Sequence, residues 1–90
     1  MRHPDFGTAP NIDLELGSQL KAVGIDSLDR LIEVGAREAW LRLRGQFPLR
    51  NNEQALLALQ GAIDDVLVPR LPAGVAAELR RWFAGQAEDE

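Results

Sequence analysis

"AVGIDSLDRL", residues 22–31, joins the apolar end of one helix to the start of another. On its N-terminal side, Leu16, Leu20 and Val23 recur at i, i+4 and i+7, and Gly24 follows them as a helix stop. On its C-terminal side, Ser27 offers a capping hydroxyl and Asp29 places a carboxylate in the first turn of the next helix. A glycine turn between helices holds phosphate when two glycines flank an apolar residue, because the backbone N–H groups then reach the anion unobstructed. Here the second glycine is replaced by Asp26, whose carboxylate repels phosphate at close range. The turn is therefore expected to be a structural corner, with Ile25 tucked between the helices and Asp26 supporting the second one.

Working outward, the second helix turns Leu28, Leu31 and Ile32 inward and ends at Gly35. A third, about residues 36–44, carries Ala36, Ala39, Trp40 and Leu43 on one side, and Gly45 and Pro48 close it. The longest helix is expected to start at Asn51 or Asn52, where Asn51 and Gln54 have capping-box spacing. Its stripe is Ala55, Leu59, Ala62, Ile63 and Val66, and Val68-Pro69 interrupts it. A last helix begins near Pro72 and buries Val75, Leu79, Trp82 and Phe83. Leu41 and Leu57 fall off these stripes and are expected on the outside. The reading is an all-α, compact bundle of about five short helices. Residues 1–10, with Pro4, Gly7 and Pro10, read as a flexible arm, 11–83 as the helical domain and 84–90 as an acidic tail.

Ninety residues suffice for one domain, and 46% hydrophobic against 27% charged residues are enough to build a true core. Without cysteine the chain has no disulfide, thiol nucleophile or cysteine-bound zinc, which fits a cytoplasmic setting. No apolar run follows the N-terminus as in a signal peptide, and none approaches the roughly 20 residues of a membrane span. The net charge of −4 is uneven. Glu88, Asp89 and Glu90 close the chain, whereas residues 36–50 hold Arg37, Arg42, Arg44 and Arg50 against Glu38 alone. An overall negative charge opposes avid, non-specific DNA binding.

The longer stretch "NIDLELGSQLKAVGIDSLDRLIEVGAREAWLRL", residues 11–43, resembles the opening of the C-terminal domain of the TfoX/Sxy family of bacterial competence regulators. The matching residues are Asn11, Leu20, Gly24, Ile25, Ser27 (for a threonine), Leu31, Gly35, Ala36 and Leu43. "LALQGAI" at 57–63 and "LPAGVAAEL" at 71–79 fall where the family has similar runs. Asp13 departs from the pattern at an early glycine, Glu53-Gln54 replaces a leucine–asparagine pair and Leu67-Val68 a histidine–tryptophan pair. The resemblance implies a helix-hairpin-helix-like (SAM-like) N-terminal part. Because the family's regulators carry a separate N-terminal domain, it also implies a free-standing C-terminal domain and a role in transcriptional regulation of DNA transformation.

Among individual residues, Arg37 and Arg44 lie seven apart on one helix face, and Arg50 follows in the next loop. They are the candidate contacts for a partner or nucleic acid, against the plainer expectation that they pair with Glu33, Glu38 or Glu53. Trp40 and Trp82 read as core residues, and Asp64 and Asp65 as solvent-facing, since neighbours on a helix diverge by about 100°. The single histidine, His3, lies in the arm, so no serine–histidine pair can be assembled on the body. No catalytic group, cofactor, metal site or small-molecule substrate is indicated, and no membrane partner. The expectation is a non-enzymatic interaction module acting through a protein partner or self-association. The alternative is a weak DNA-binding domain using the arginine-bearing face.

Overall fold

The computed structural model describes residues 9–88; residues 1–8, with most of the expected arm and His3, and Asp89 and Glu90 lie outside the described residues. Helix α1, Leu14–Ala22, starts where the extended Asp13 accepts the Leu16 N–H on its carboxylate at 2.8 Å. Asp13, one of the departures from the family pattern, is thus the N-cap of the first helix. At the other end, the Gly24 N–H donates to the Lys21 carbonyl (3.1 Å) and the Ile25 N–H to the Leu20 carbonyl (2.9 Å). This pair of bonds satisfies the last carbonyls of the helix and requires a left-handed residue, which Gly24 supplies at φ 87°. Ile25 follows it into the core with no exposure at all, while Asp26 stays exposed.

Ser27 caps α2, Leu28–Val34, by accepting the Arg30 N–H at 3.2 Å. Gly35, at φ 90°, ends α2 and at once opens α3, Ala36–Gln46. Gly45 does not stop α3; an internal glycine only weakens a helix, and the chain leaves it one residue later, ahead of a 3-10 turn at Pro48–Arg50. That turn also decides between Asn51 and Asn52 at the start of α4, Glu53–Asp64. The Asn51 N–H closes the turn on the Pro48 carbonyl (3.1 Å), and the extended Asn52 that follows is the N-cap. Its side chain accepts the Ala55 N–H at 2.8 Å, and the spacing of Asn51 with Gln54 is not used. A second 3-10 turn, Val68–Arg70, leads to α5, Ala73–Glu88. At 16 residues α5 is longer than the 12-residue α4, which Asp65 terminates in the left-handed region.

The helices assemble around α4, which packs against α2, α3 and α5, while α1 lies on α3. Being covered from several directions, α4 buries Leu56, Leu57 and Ala58 along with Ala55, Leu59 and Ala62. Leu57, expected outside, is only 2% exposed, and Leu41 is half-buried. Ile32 errs in the opposite direction. It is 50% exposed, because Leu31 fills the inward position of the short α2 and Leu28 is half-buried beside it. Trp40, Leu59 and Leu79 are buried as expected; Val75, Ile63, Trp82 and Phe83 pack against the core from its edge. Among the described residues no polar or charged side chain is buried.

Asn11 ties the entering chain to this core. In the left-handed region (φ 70°), it donates through Nδ2 to the Val66 carbonyl (2.9 Å) and accepts the Val68 N–H on Oδ1 (3.2 Å). Its amide lies over Gly61, where a Cβ would collide with Asn11 Nδ2 and come within 2.7 Å of the Val66 oxygen. Asn11 and Gly61 therefore form one interlocked contact, 50 residues apart in sequence.

Candidate functional site

The Trp40 indole is fully buried and donates its Nε1–H to the Asn52 carbonyl at 3.1 Å, tying α3 to the start of α4. Trp82 and Phe83 of α5 meet it edge-to-face, at centroid distances of 5.4 and 5.5 Å. Aromatic pairs favour this geometry because the positive ring edge faces the negative ring face. The guanidinium carbon of Arg44 lies 5.1 Å from the Trp40 ring centroid, and that of Arg37 lies 5.9 Å from the Trp82 centroid. Each contact of this kind contributes on the order of 0.5–1 kcal/mol at an exposed site. Two of the three candidate arginines thus share one aromatic cluster between α3 and α5.

Arg50 is held elsewhere. Its Nε donates to Gln19 Oε1 of α1 at 2.6 Å, and it lines an open groove of about 470 Å³ with Asp13, Leu16, Asn52 and Leu67. The carboxylates considered as partners for these arginines take others: Glu33 pairs with Arg30 (3.1 Å), Glu38 with Arg42 (3.0 Å) and Glu53 with Arg80 (3.3 Å). Exposed pairs of this kind contribute little to stability but do neutralise local charge.

Arg37 also borders a second groove, of about 330 Å³, lined by Ile32 and Val34 at the end of α2, the start of α3, and Gln60 and Ile63 of α4. Arg37 is exposed there, and its guanidinium also lies over the Trp82 ring. Sequence reasoning found Arg37 and Arg44 through their seven-residue spacing. It missed the aromatic seat beneath them, because tryptophans on an apolar stripe read as core whether or not an edge remains accessible. It missed the groove because Ile32 was assigned to the wrong side. The signal for the seat was the proximity of Trp82 and Phe83 in sequence, but nothing local placed α5 beside α3.

The Gly24 turn is closed by its own hydrogen bonds. Its Gly24 and Ile25 N–H groups are already donated to helix carbonyls, and Arg42 Nη1 lies 3.5 Å from the Val23 carbonyl beside it. Asp64 accepts from Gln60 at 3.1 Å and Asp65 ends α4 in the left-handed region, so each aspartate has a local role.

Known proteins give this geometry a family. The model of the TfoX C-terminal domain matches residues 4–83. Protein Sxy of Escherichia coli (strain K12) is 38% identical over 73 residues, which cover 81% of this chain and 34% of Sxy, so the chain spans about a third of that relative. An uncharacterized protein from Listeria monocytogenes, solved in a triclinic crystal form, superposes with a TM-score of 0.87 at 26% identity, over 92% of this chain and 93% of that one. A tetragonal-form structure of a Listeria monocytogenes protein of unknown function gives a TM-score of 0.85 at 27% identity, over 91% and 99% of the two chains. With the family match spanning almost the whole helical body, the chain belongs to the TfoX/Sxy family through its TfoX C-terminal domain.

Proposed function

We propose that this domain is a non-enzymatic module of TfoX-type competence regulation that works through protein–protein contacts. The observation that carries this reading is the disposition of the arginines. Arg37 and Arg44 lie over tryptophan rings, Arg42 pairs with Glu38, and Arg50 turns to Gln19. A duplex-binding surface needs several cations free to meet successive phosphates, and the net charge of −4 opposes the approach of DNA. Arginine beside tryptophan on a partly apolar rim is instead the composition that dominates protein interfaces.

The test is a titration of fluorescent duplex DNA at low and physiological salt. Affinity no tighter than roughly 10⁻⁴ to 10⁻⁶ M at physiological salt, falling as salt rises, is the non-specific range expected here. Submicromolar binding abolished by Arg37→Ala with Arg44→Ala would replace this reading with a DNA-binding domain using the arginine-bearing face.

A further inference from the structure

The groove beside Arg37 is a site of defined chemistry. Ile32, Val34 and Ile63 contribute apolar side chains to a lining that Arg37, Glu38 and Gln60 make polar elsewhere, and Ile32 keeps half its surface in water. Glu38 on the same rim is neutralised by Arg42 at 3.0 Å, and no ion pair to Arg37 occurs among the described residues, so the mouth is cationic. Such a groove suits an apolar side chain with a carboxylate next to it.

The chain itself presents such a segment. Among the described residues, three large hydrophobic side chains besides Ile32 are strongly exposed: Leu14 at 93%, Leu49 at 92% and Leu67 at 58%. Leu49 stands next to Arg50, whose charge would oppose Arg37, and Leu67 stands between two valines. Only Leu14 has acidic neighbours, Asp13 and Glu15. Asp13 is committed to capping α1, whereas among the described residues Glu15 has only a long 3.4 Å contact from Gln19 within its own helix. We infer that the groove beside Arg37 receives Leu14 of a second copy of this chain, with Glu15 of that copy meeting the Arg37 guanidinium. Two such contacts made reciprocally close a two-fold dimer, in which each copy gives one leucine and accepts one. This inference rests on the protein-contact reading above and names the surface and the partner.

The experiment is sedimentation equilibrium of the chain from micromolar to millimolar concentration, at low and high salt, with circular dichroism to check that every variant is folded. The chain is expected to dimerise more weakly as salt rises, since part of the attraction is a charge pair. Leu14→Ser, at a position too exposed to support the fold, should weaken association about tenfold or more, as should Glu15→Lys or Arg37→Glu alone. The decisive variant is the charge exchange, Glu15→Lys with Arg37→Glu, which should restore association to near the level of the unaltered chain. A dimer indifferent to Leu14→Ser and Arg37→Glu would overturn the assignment of this groove while leaving the protein-contact reading intact. A strict monomer at millimolar concentration would overturn the second copy as occupant. Arg37-dependent binding of a fluorescent peptide of alternating leucine and glutamate would then assign the groove to a different protein. Submicromolar duplex binding in the separate DNA titration would instead remove the protein-contact reading itself.

Discussion

Helices α1 and α4 end with the same backbone pattern, yet the glycine near each end has a different task. At the end of α1 the left-handed residue is Gly24, and a Cβ there would meet only Arg42 Nη1, at an ordinary 3.9 Å. At the end of α4 the same two bonds run from Asp65 to Ala62 and from Val66 to Gly61, but the left-handed residue is Asp65 (φ 61°). The glycine there is Gly61, inside the helix, and what it supplies is room for the Asn11 amide and the Val66 carbonyl. One glycine answers a local backbone demand and the other a contact between distant segments. The comparison teaches that similar sequence punctuation conceals two unrelated physical causes.

The largest effect is expected at Gly61. Gly61→Ala should destabilise the fold by about 1–3 kcal/mol or more, because the added methyl group meets the Val66 carbonyl, which cannot swing aside as a free side chain would. Thermal melts of Gly61→Ala, Asn11→Gly and the double variant would test the cause. The second substitution keeps the positive φ of residue 11 while removing its amide. The two losses should sum to more than the double variant shows, since part of the strain disappears with the Asn11 side chain. Strict additivity would break the claim that Gly61 makes room for Asn11.

Gly24→Ala comes next, at about 1–2 kcal/mol, the cost of forcing a residue with a Cβ into the left-handed region. Here no second-site substitution should give relief, because the strain lies in the backbone. Gly24→Asn should cost less, asparagine being the better tolerated there. Equal melting temperatures for the two variants would mean that crowding, rather than φ, governs this turn.

The smallest effect separates neighbouring residues at the start of α4. Asn52→Ala should cost about 1 kcal/mol through loss of the helix cap. Asn51→Ala should change stability by less than about 0.5 kcal/mol, as its side chain makes no capping bond. Reversal of that order would move the start of the helix back by one residue and restore the capping box that the structure does not use.

Much of the architecture could be read from local spacing. Ser27 caps α2, Gly24 and Gly35 close α1 and α2, and Ala36, Ala39, Trp40 and Leu43 are the buried side of α3. Each of these depends on residues within about a helical turn, where geometry follows from the chain itself. At the start of α4 the local spacing leaves Asn51 and Asn52 both open, because a 3-10 turn and a helix start compete for the same asparagines, and the structure uses Asn52.

Burial on α2 and α4 was less legible. Periodicity marks one stripe, but α4 meets α2, α3 and α5 on different sides, so Leu57 is covered as fully as Leu59. On α2 the neighbours stop short of Ile32 and leave it at the edge of a groove. The candidate site divides in the same way. The spacing of Arg37 and Arg44 is a property of one helix, so the residues alone place both guanidiniums on a common face. That this face carries Trp82 under Arg37, and that Arg50 turns away to Gln19, depends on how α5 and α1 pack against α3. Helical hydrogen bonds are settled over three or four residues, whereas coverage of a side chain is settled by whichever distant segment reaches it first, and only the assembled bundle determines which one does.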